Sequence, residues 1–351
     1  MADTVLQMKI AYTITISDIN GLRRNLQICV GDVTTASESG QVDMLAISCF
    51  PDDYLPRPHT IVGQLKAKGV DLHKLSLDKA MDDRLRWQTW ISQPLGISSP
   101  FGRIACFEHG IAQKPNAVVG NLFRALTGFA IAGGSNELGT VRVPLLATGD
   151  QQANMDEMLE AIIRQAYNQL RLSLPVETVQ IVLYSGWNNL FEMILKAGLT
   201  IKQVQQEWAA LQLSPIPSFD YFVSYRRVDH DILESFLKGL NFRRPNLRIF
   251  LDKKAIPHGV FWKPELVGSI YNSKKFLCLI TDSYTDSGEC VDEFHAALSC
   301  GLHRDNFLVP LQLLSRYDLD TLPSAFRSVN LIDARCPPNQ FSAVLDAILD
   351  S

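Results

Sequence analysis

The sequence predicts two successive α/β domains. Its 351 residues are about twice the length of a common single domain. Strand-like and helix-like patterns alternate in both halves. Between the amphipathic "VQQEWAAL" and the strand-like "FDYFVSY" lies "QLSPIPS", where Pro215 and Pro217 each lack a backbone donor and push the preceding residue toward extended geometry. The expected division is a first domain over residues 1–200, a linker over 201–218 and a second domain over 219–351. Neither half contains an internal repeat.

In the first half, "KIAYTITISDI" alternates like a half-buried strand and passes through "NGLRR" into "LQICVGDVT", a hairpin-like opening. "VDMLAIS", "GRIACFEH", "TVRVPLLATGD" and "VETVQIVLYS" supply further strands. "AVVGNLFRALTGFAIAGG" and "MDEMLEAIIRQAYNQL" carry apolar residues at helical spacing. A mixed sheet flanked by helices follows. The second half alternates more regularly: strand "YFVSY", helix "DILESFLKGL", strand "LRIFLD", helix "KPELVGSIYNS", strand "KKFLCLIT", helix "VDEFHAALSCG", strand "NFLVPLQL" and helix "FSAVLDAIL". Runs such as "FLCLI" are apolar at consecutive positions, as in parallel strands covered on both faces. The second domain is therefore expected to be a small doubly wound α/β domain, whose ligands gather at the carboxyl ends of the strands.

Composition narrows the function. Lys and Arg total 33 against 37 Asp and Glu, so no net field favours nucleic acid or an anionic membrane, while a phosphate-bearing small molecule remains compatible. The seven cysteines are scattered through apolar strings and read as reduced, buried thiols. No Cys or His spacing matches a zinc site, so no structural metal is expected. The N-terminal "MADTVLQMKI" lacks a signal-peptide pattern, and no apolar run reaches the roughly 18 residues a bilayer span requires. A soluble, cytoplasmic protein is the expectation.

Chemistry is sought after the strands of the second half. "SYRR" places Arg226 and Arg227, planar cations suited to a diphosphate or carboxylate, after the first strand; a solvated charge pair is the plainer reading. "LDKKAIPHGVFW" follows the second strand and bends at Pro257 and Gly259, with Ile256, Val260, Phe261 and Trp262 around the bend. "TDSYTDSGECVDEFHAAL" follows the third strand and puts Glu293 near a helix start. There it serves either the helix dipole or a substrate at the sheet edge.

These three stretches, in this order and spacing, resemble a TIR domain from Phe219 to the C-terminus: "FDYFVSYRR" its first strand and loop, "RIFLDKKAIPHGVFW" its second strand and BB loop, and "TDSYTDSGECVDEF" its Cys-x-x-Glu signature. The family often has Trp before that cysteine, where this chain has Glu289. The resemblance implies a flavodoxin-like doubly wound parallel sheet. In NAD-cleaving members the signature glutamate, here Glu293, is catalytic. Cleaving the nicotinamide bond develops oxocarbenium-like charge on the ribose, which a carboxylate stabilises, and nicotinamide departs without a general acid. NAD+ is then the substrate, and no cofactor is needed.

By the same resemblance Tyr225, Arg226, Arg227, Phe250, Asp252 and Ser283 line the substrate pocket. Ile256, Pro257, His258, Gly259, Phe261 and Trp262 form an assembly loop through which copies associate to complete the site. The expected products are ADP-ribose or a cyclic ADP-ribose isomer, in bacterial immune or antiphage signalling. Other members of the family are non-catalytic adaptors, so a scaffold role is the alternative. Cys290 has no evident His partner and is expected to pack the helix start.

In the first half, "GDVTTASESGQVDMLAIS", "VRVPLLATGDQ" and "VQIVLYS" resemble a macro domain, a fold that binds ADP-ribose. By that resemblance Asp32 approaches adenine, while Ala147, Thr148 and Gly149 offer backbone donors to phosphate. A turn cap at Asp32 and a tight bend at Gly149 are the structural alternatives. "CFPDDYLPRPH" stands where an Asn- and Gly-rich stretch is usual and makes a poor cradle for ribose or phosphate. Structural or partner-binding use is therefore weighed beside nucleotide binding, and this half is expected to sense a nucleotide or protein trigger for the second.

Overall fold

The computed structural model describes residues 8–35, 42–111, 114–132, 138–211, 218–251, 264–301, 304–313, 322, 324–327, 329–335 and 342–350. The chain divides into two compact units, Met1–Gln206 and Glu207–Ser351. A helix over Leu190–Ala209 runs through position 200, and residues 212–217 of "QLSPIPS" lie outside the described residues.

The first unit contains β1 (Lys9–Ser17), β2 (Arg23–Gly31), β3 (Val42–Cys49), α1 (Ile61–Ala67), α2 (Leu72–Leu75), β4 (Lys79–Asp83), α3 (Arg84–Trp87), β5 (Thr89–Ser92), β6 (Phe101–Glu108), α4 (Pro115–Ala132), β7 (Leu138–Pro144), α5 (Met155–Arg171), β8 (Val176–Tyr184) and α6 (Leu190–Ala209). Its strands form one mixed sheet in the order β1-β2-β8-β7-β3-β6-β5-β4. The pairs from β2 to β6 are parallel, and both margins are antiparallel. β3 is buried at nearly every position, as a strand covered on both faces should be, whereas the edge strand β1 buries only Ile16. α5 starts at Asn154, whose side chain accepts from the Glu157 N–H at 3.1 Å, with Asp156 and Glu157 in its first turn.

Arg142, fully buried on β7, has no counterpart in the strand pattern. Its guanidinium donates to the Gln180 side chain at 3.1 Å and to the carbonyls of Thr35 at 2.6 Å and Val33 at 3.2 Å. Those bonds fasten the segment that follows β2. Burial lowers the Arg142 pKa to about 10, which still leaves it charged at neutral pH.

The second unit contains β9 (Phe219–Ser224), α7 (His230–Arg243), β10 (Ile249–Leu251), α8 (Pro264–Tyr271), β11 (Ser273–Ile280), α9 (Gly288–Gly301), β12 (Leu308–Gln312), α10 (Ser324–Arg327), β13 (Ile332–Asp333) and α11 (Ser342–Asp350). Its sheet is parallel throughout, in the order β10-β9-β11-β12-β13. Apolar positions facing α7 and α11 form one core, with Tyr221, Val223, Leu277 and Leu279 against Leu233, Phe236, Leu240 and Leu345. Phe222 stacks on Phe276 at 5.1 Å, and Phe294 of α9 stacks on Phe326 at 3.9 Å. The order runs both ways from β9, so the carboxyl ends of β9 and β11 flank the topological switch point of the sheet. This is the usual ligand position of doubly wound sheets.

Candidate functional site

Ser224 ends β9 and is 1% exposed; Tyr284 opens a 3-10 turn after β11; Glu293 sits in the second turn of α9. These three meet. Ser224 Oγ donates to Glu293 Oε2 at 2.5 Å and lies 2.7 Å from the Tyr284 hydroxyl, which donates to the Cys290 carbonyl at 3.1 Å. Glu293 is 6% exposed, a burial that carboxylates tolerate only when hydrogen-bonded. Burial also pushes the Tyr284 hydroxyl pKa well up, so that it remains a donor.

The helix start resolves what Glu293 is not. Ser287 Oγ accepts from the Cys290 N–H at 3.3 Å as an N-cap, and Glu289 occupies the first turn, where the dipole acts. Glu293 lies a turn further on. Cys290 packs beneath it, with its thiol 3.4 Å from the Tyr225 carbonyl. Burial, followed by the Glu293 charge, pushes that thiol up to about 12, so it is protonated at neutral pH and a poor nucleophile.

The neighbouring loops are tied together by Asp229. Its Oδ2 accepts from both Thr281 Oγ1 and Ser283 Oγ at 2.6 Å, joining the exit of β9 to that of β11. Ser283 is thus at the expected edge with its hydroxyl engaged. Tyr225 and Arg226 are half-buried there, while Arg227 is exposed and opens the 3-10 turn Arg227–Asp229. Phe250 on β10 stacks on Phe222 at 5.1 Å and meets Phe219 edge-on at 5.2 Å, so its ring belongs to the aromatic packing of the sheet. Asp252 and the assembly-loop residues Ile256, Pro257, His258, Gly259, Phe261 and Trp262 lie outside the described residues. Sequence reasoning missed Ser224, Tyr284 and Asp229. The available signal was a hydroxyl residue closing an otherwise apolar strand.

In the first unit, a cleft of about 510 Å³ opens at the carboxyl ends of β2, β3, β7 and β8 and brings Asp32, Thr148 and Gly149 together. Asp32 is also a turn cap: its Oδ1 accepts from the N–H and Oγ1 of Thr34 at 2.8 and 2.7 Å, and its Oδ2 lies 3.6 Å from Lys68 Nζ. Ala147, with a φ of 61°, gives its N–H to Ser48 Oγ at 2.9 Å, so that donor is spent inside the protein and is not available to a phosphate. Among the described residues the N–H groups of Thr148 and Gly149 meet no acceptor. The "CFPDDYLPRPH" segment walls this cleft; within it Arg57 holds Asp53 at 2.7 Å and keeps that carboxyl below the usual range. Tyr184 and Trp187 also line the cleft, packed edge to face at 6.3 Å.

Cys49 lines the same cleft, and with Cys106 and Glu108 it forms the group among the described residues whose ligand atoms all lie within 4.8 Å of one another. Sequence spacing hid this group, because its members come from β3 and β6. Its chemistry suits a metal poorly: Glu108 already accepts from the Tyr54 hydroxyl, from Trp90 Nε1 at 2.6 Å and from the Asp52 N–H at 3.3 Å. Burial raises the Cys106 thiol well above its ordinary value. The six cysteines among the described residues are buried and free, and no helix among those residues is long and apolar enough to cross a membrane.

No curated protein matches the chain. Among solved structures, a macrodomain from Oceanobacillus iheyensis is 16% identical with a TM-score of 0.42, covering 56% of this chain, over its N-terminal half, and 95% of its own. The macrodomain of that organism with ADP is 16% identical (TM-score 0.40, 57% of this chain and 98% of its own). A Trypanosoma brucei macrodomain in complex with ADP is 11% identical (TM-score 0.39, 53% and 77%). Residues 222–349 match the family model described as "TIR domain". That span holds the parallel sheet from within β9 onward together with Ser224, Tyr284 and Glu293, and the chain thus carries a TIR domain at residues 222–349.

Proposed function

We propose that the TIR unit is an NAD+ nucleosidase that breaks the nicotinamide–ribose bond, with Glu293 as its catalytic carboxylate. The observation that carries this is a buried carboxylate bonded to Ser224 at the carboxyl end of β9, beside the switch point of the sheet and set beyond the helix turn that the dipole serves. As the C–N bond breaks, its electron pair returns to the pyridinium nitrogen and neutral nicotinamide leaves. Glu293 opposes the positive charge that develops on the ribose. Water adding at that carbon and losing a proton yields ADP-ribose, while capture by another group of the same molecule yields a cyclic isomer. Arg226, half-buried at the same edge, is suited to the diphosphate.

Self-association through the segment holding Ile256, Pro257, His258, Gly259, Phe261 and Trp262 completes the site, and the family resemblance supports a bacterial immune role. The test is nicotinamide release from NAD+ by the purified full chain at high concentration. Wild type turns over and Glu293→Gln does not. A silent wild type would favour the non-catalytic scaffold.

The cleft of the first unit supports a second assignment: it takes a nucleotide-type ligand, with Asp32 on its wall and the free N–H groups of Thr148 and Gly149 toward an anionic group. Thermal-shift titration with ADP-ribose tests this. The wild-type melting temperature rises, and Asp32→Ala lessens the rise.

A further inference from the structure

We infer that Ser224 is a positioning residue for Glu293, oriented in turn by Tyr284, an inference that rests on the nucleosidase reading above. An ionised carboxylate only accepts hydrogen bonds, so the single Ser224 proton is committed to Glu293 Oε2 across 2.5 Å. Ser224 Oγ is then an acceptor toward Tyr284, 2.7 Å away. The single Tyr284 proton is shared between that oxygen and the Cys290 carbonyl at 3.1 Å. The direction of the chain follows: Tyr284 to Ser224 to Glu293.

The three members come from separate elements. Ser224 ends β9, which lies between β10 and β11, and Tyr284 belongs to the turn after β11, where it is fully buried and edge-on to Phe326 at 6.1 Å. The carboxylate on α9 is therefore referenced to the sheet edge and not only to its own helix. A charge-assisted bond in a water-poor setting has little freedom to reorganise, and it holds the negative charge where positive charge must develop. A residue with this role acts on the transition state more than on substrate binding, so its loss falls on kcat. A hydroxyl that merely satisfied a buried acid would be repaid in stability alone.

The experiment measures steady-state nicotinamide release by the full chain for wild type, Ser224→Ala, Ser224→Thr and Tyr284→Phe, with a thermal melt of each. Ser224→Ala is expected to lower kcat about 10- to 100-fold with KM changed by less than about threefold. Ser224→Thr, which keeps a hydroxyl, recovers most of the rate. Tyr284→Phe keeps the ring packing and loses less than Ser224→Ala. An active wild type whose Ser224→Ala variant keeps its kcat overturns the positioning role alone, as does an equal loss of kcat in Ala and Thr variants. If Ser224→Ala does not fold, Tyr284→Phe decides: an unchanged kcat overturns the relay. A wild type without turnover removes the nucleosidase reading and this inference with it.

Discussion

Ser287 caps α9 and Glu289 follows in its first turn, so two side chains serve the helix end before Glu293 is reached. Glu289→Gln should therefore cost at most about 1 kcal/mol in thermal unfolding and leave turnover intact. From the sequence alone Glu293 could serve the helix dipole or a substrate, because an acid near a helix start is favoured whatever it does. What separates the two roles is burial and a donor from another element, and neither is visible in a linear pattern. The resemblance to the TIR signature did single out Glu293, whereas Ser224 looked like the last residue of an apolar run. Arg142 escaped notice for a related reason, since the carbonyls that accept from its Nη1 belong to another segment. Arg142→Lys cannot reach the Gln180 side chain and both carbonyls from one ammonium in the same geometry and should lower stability by about 1–3 kcal/mol, measurable by urea unfolding.

At the scale of elements, long periodic segments were legible and short ones were not. "MDEMLEAIIRQAYNQL" and "FLCLI" carry enough apolar positions to define α5 and β11, while the two residues of β13 have no period to read. The acids and prolines of the "CFPDDYLPRPH" loop read as a poor cradle for ribose or phosphate, yet its path makes it a cleft wall. A close backbone approach fixes that path: a Cβ added at Gly63 of α1 would meet the Arg57 carbonyl oxygen at 1.9 Å. Backbone cannot give way as a flexible side chain does. Gly63→Ala should thus push α1 from the loop, lowering stability by about 1–3 kcal/mol and weakening any ligand effect at the cleft, as melting curves with and without ADP-ribose would report.

For the molecule as a whole, buried thiols predict how stability varies with pH. Burial raises Cys29 to about 11 and Cys290 and Cys300 to about 12, from a usual value near 9. The unfolded chain releases these protons first, so the stabilisation is complete below about pH 9 and is lost as pH climbs toward 12. Melting temperature should be lower at pH 10 than at pH 7.5, and an equal value would contradict the burial of these thiols. If copies complete one another's sites, nicotinamide release per molecule should also climb with protein concentration; a flat profile would place a whole site within one chain. The most direct measurement compares nicotinamide release from NAD+ by wild type, Glu289→Gln and Glu293→Gln at one high protein concentration. Full rate is expected in the first two and none above background in the third; a Glu293→Gln variant as fast as wild type would rule out Glu293 as the catalytic carboxylate.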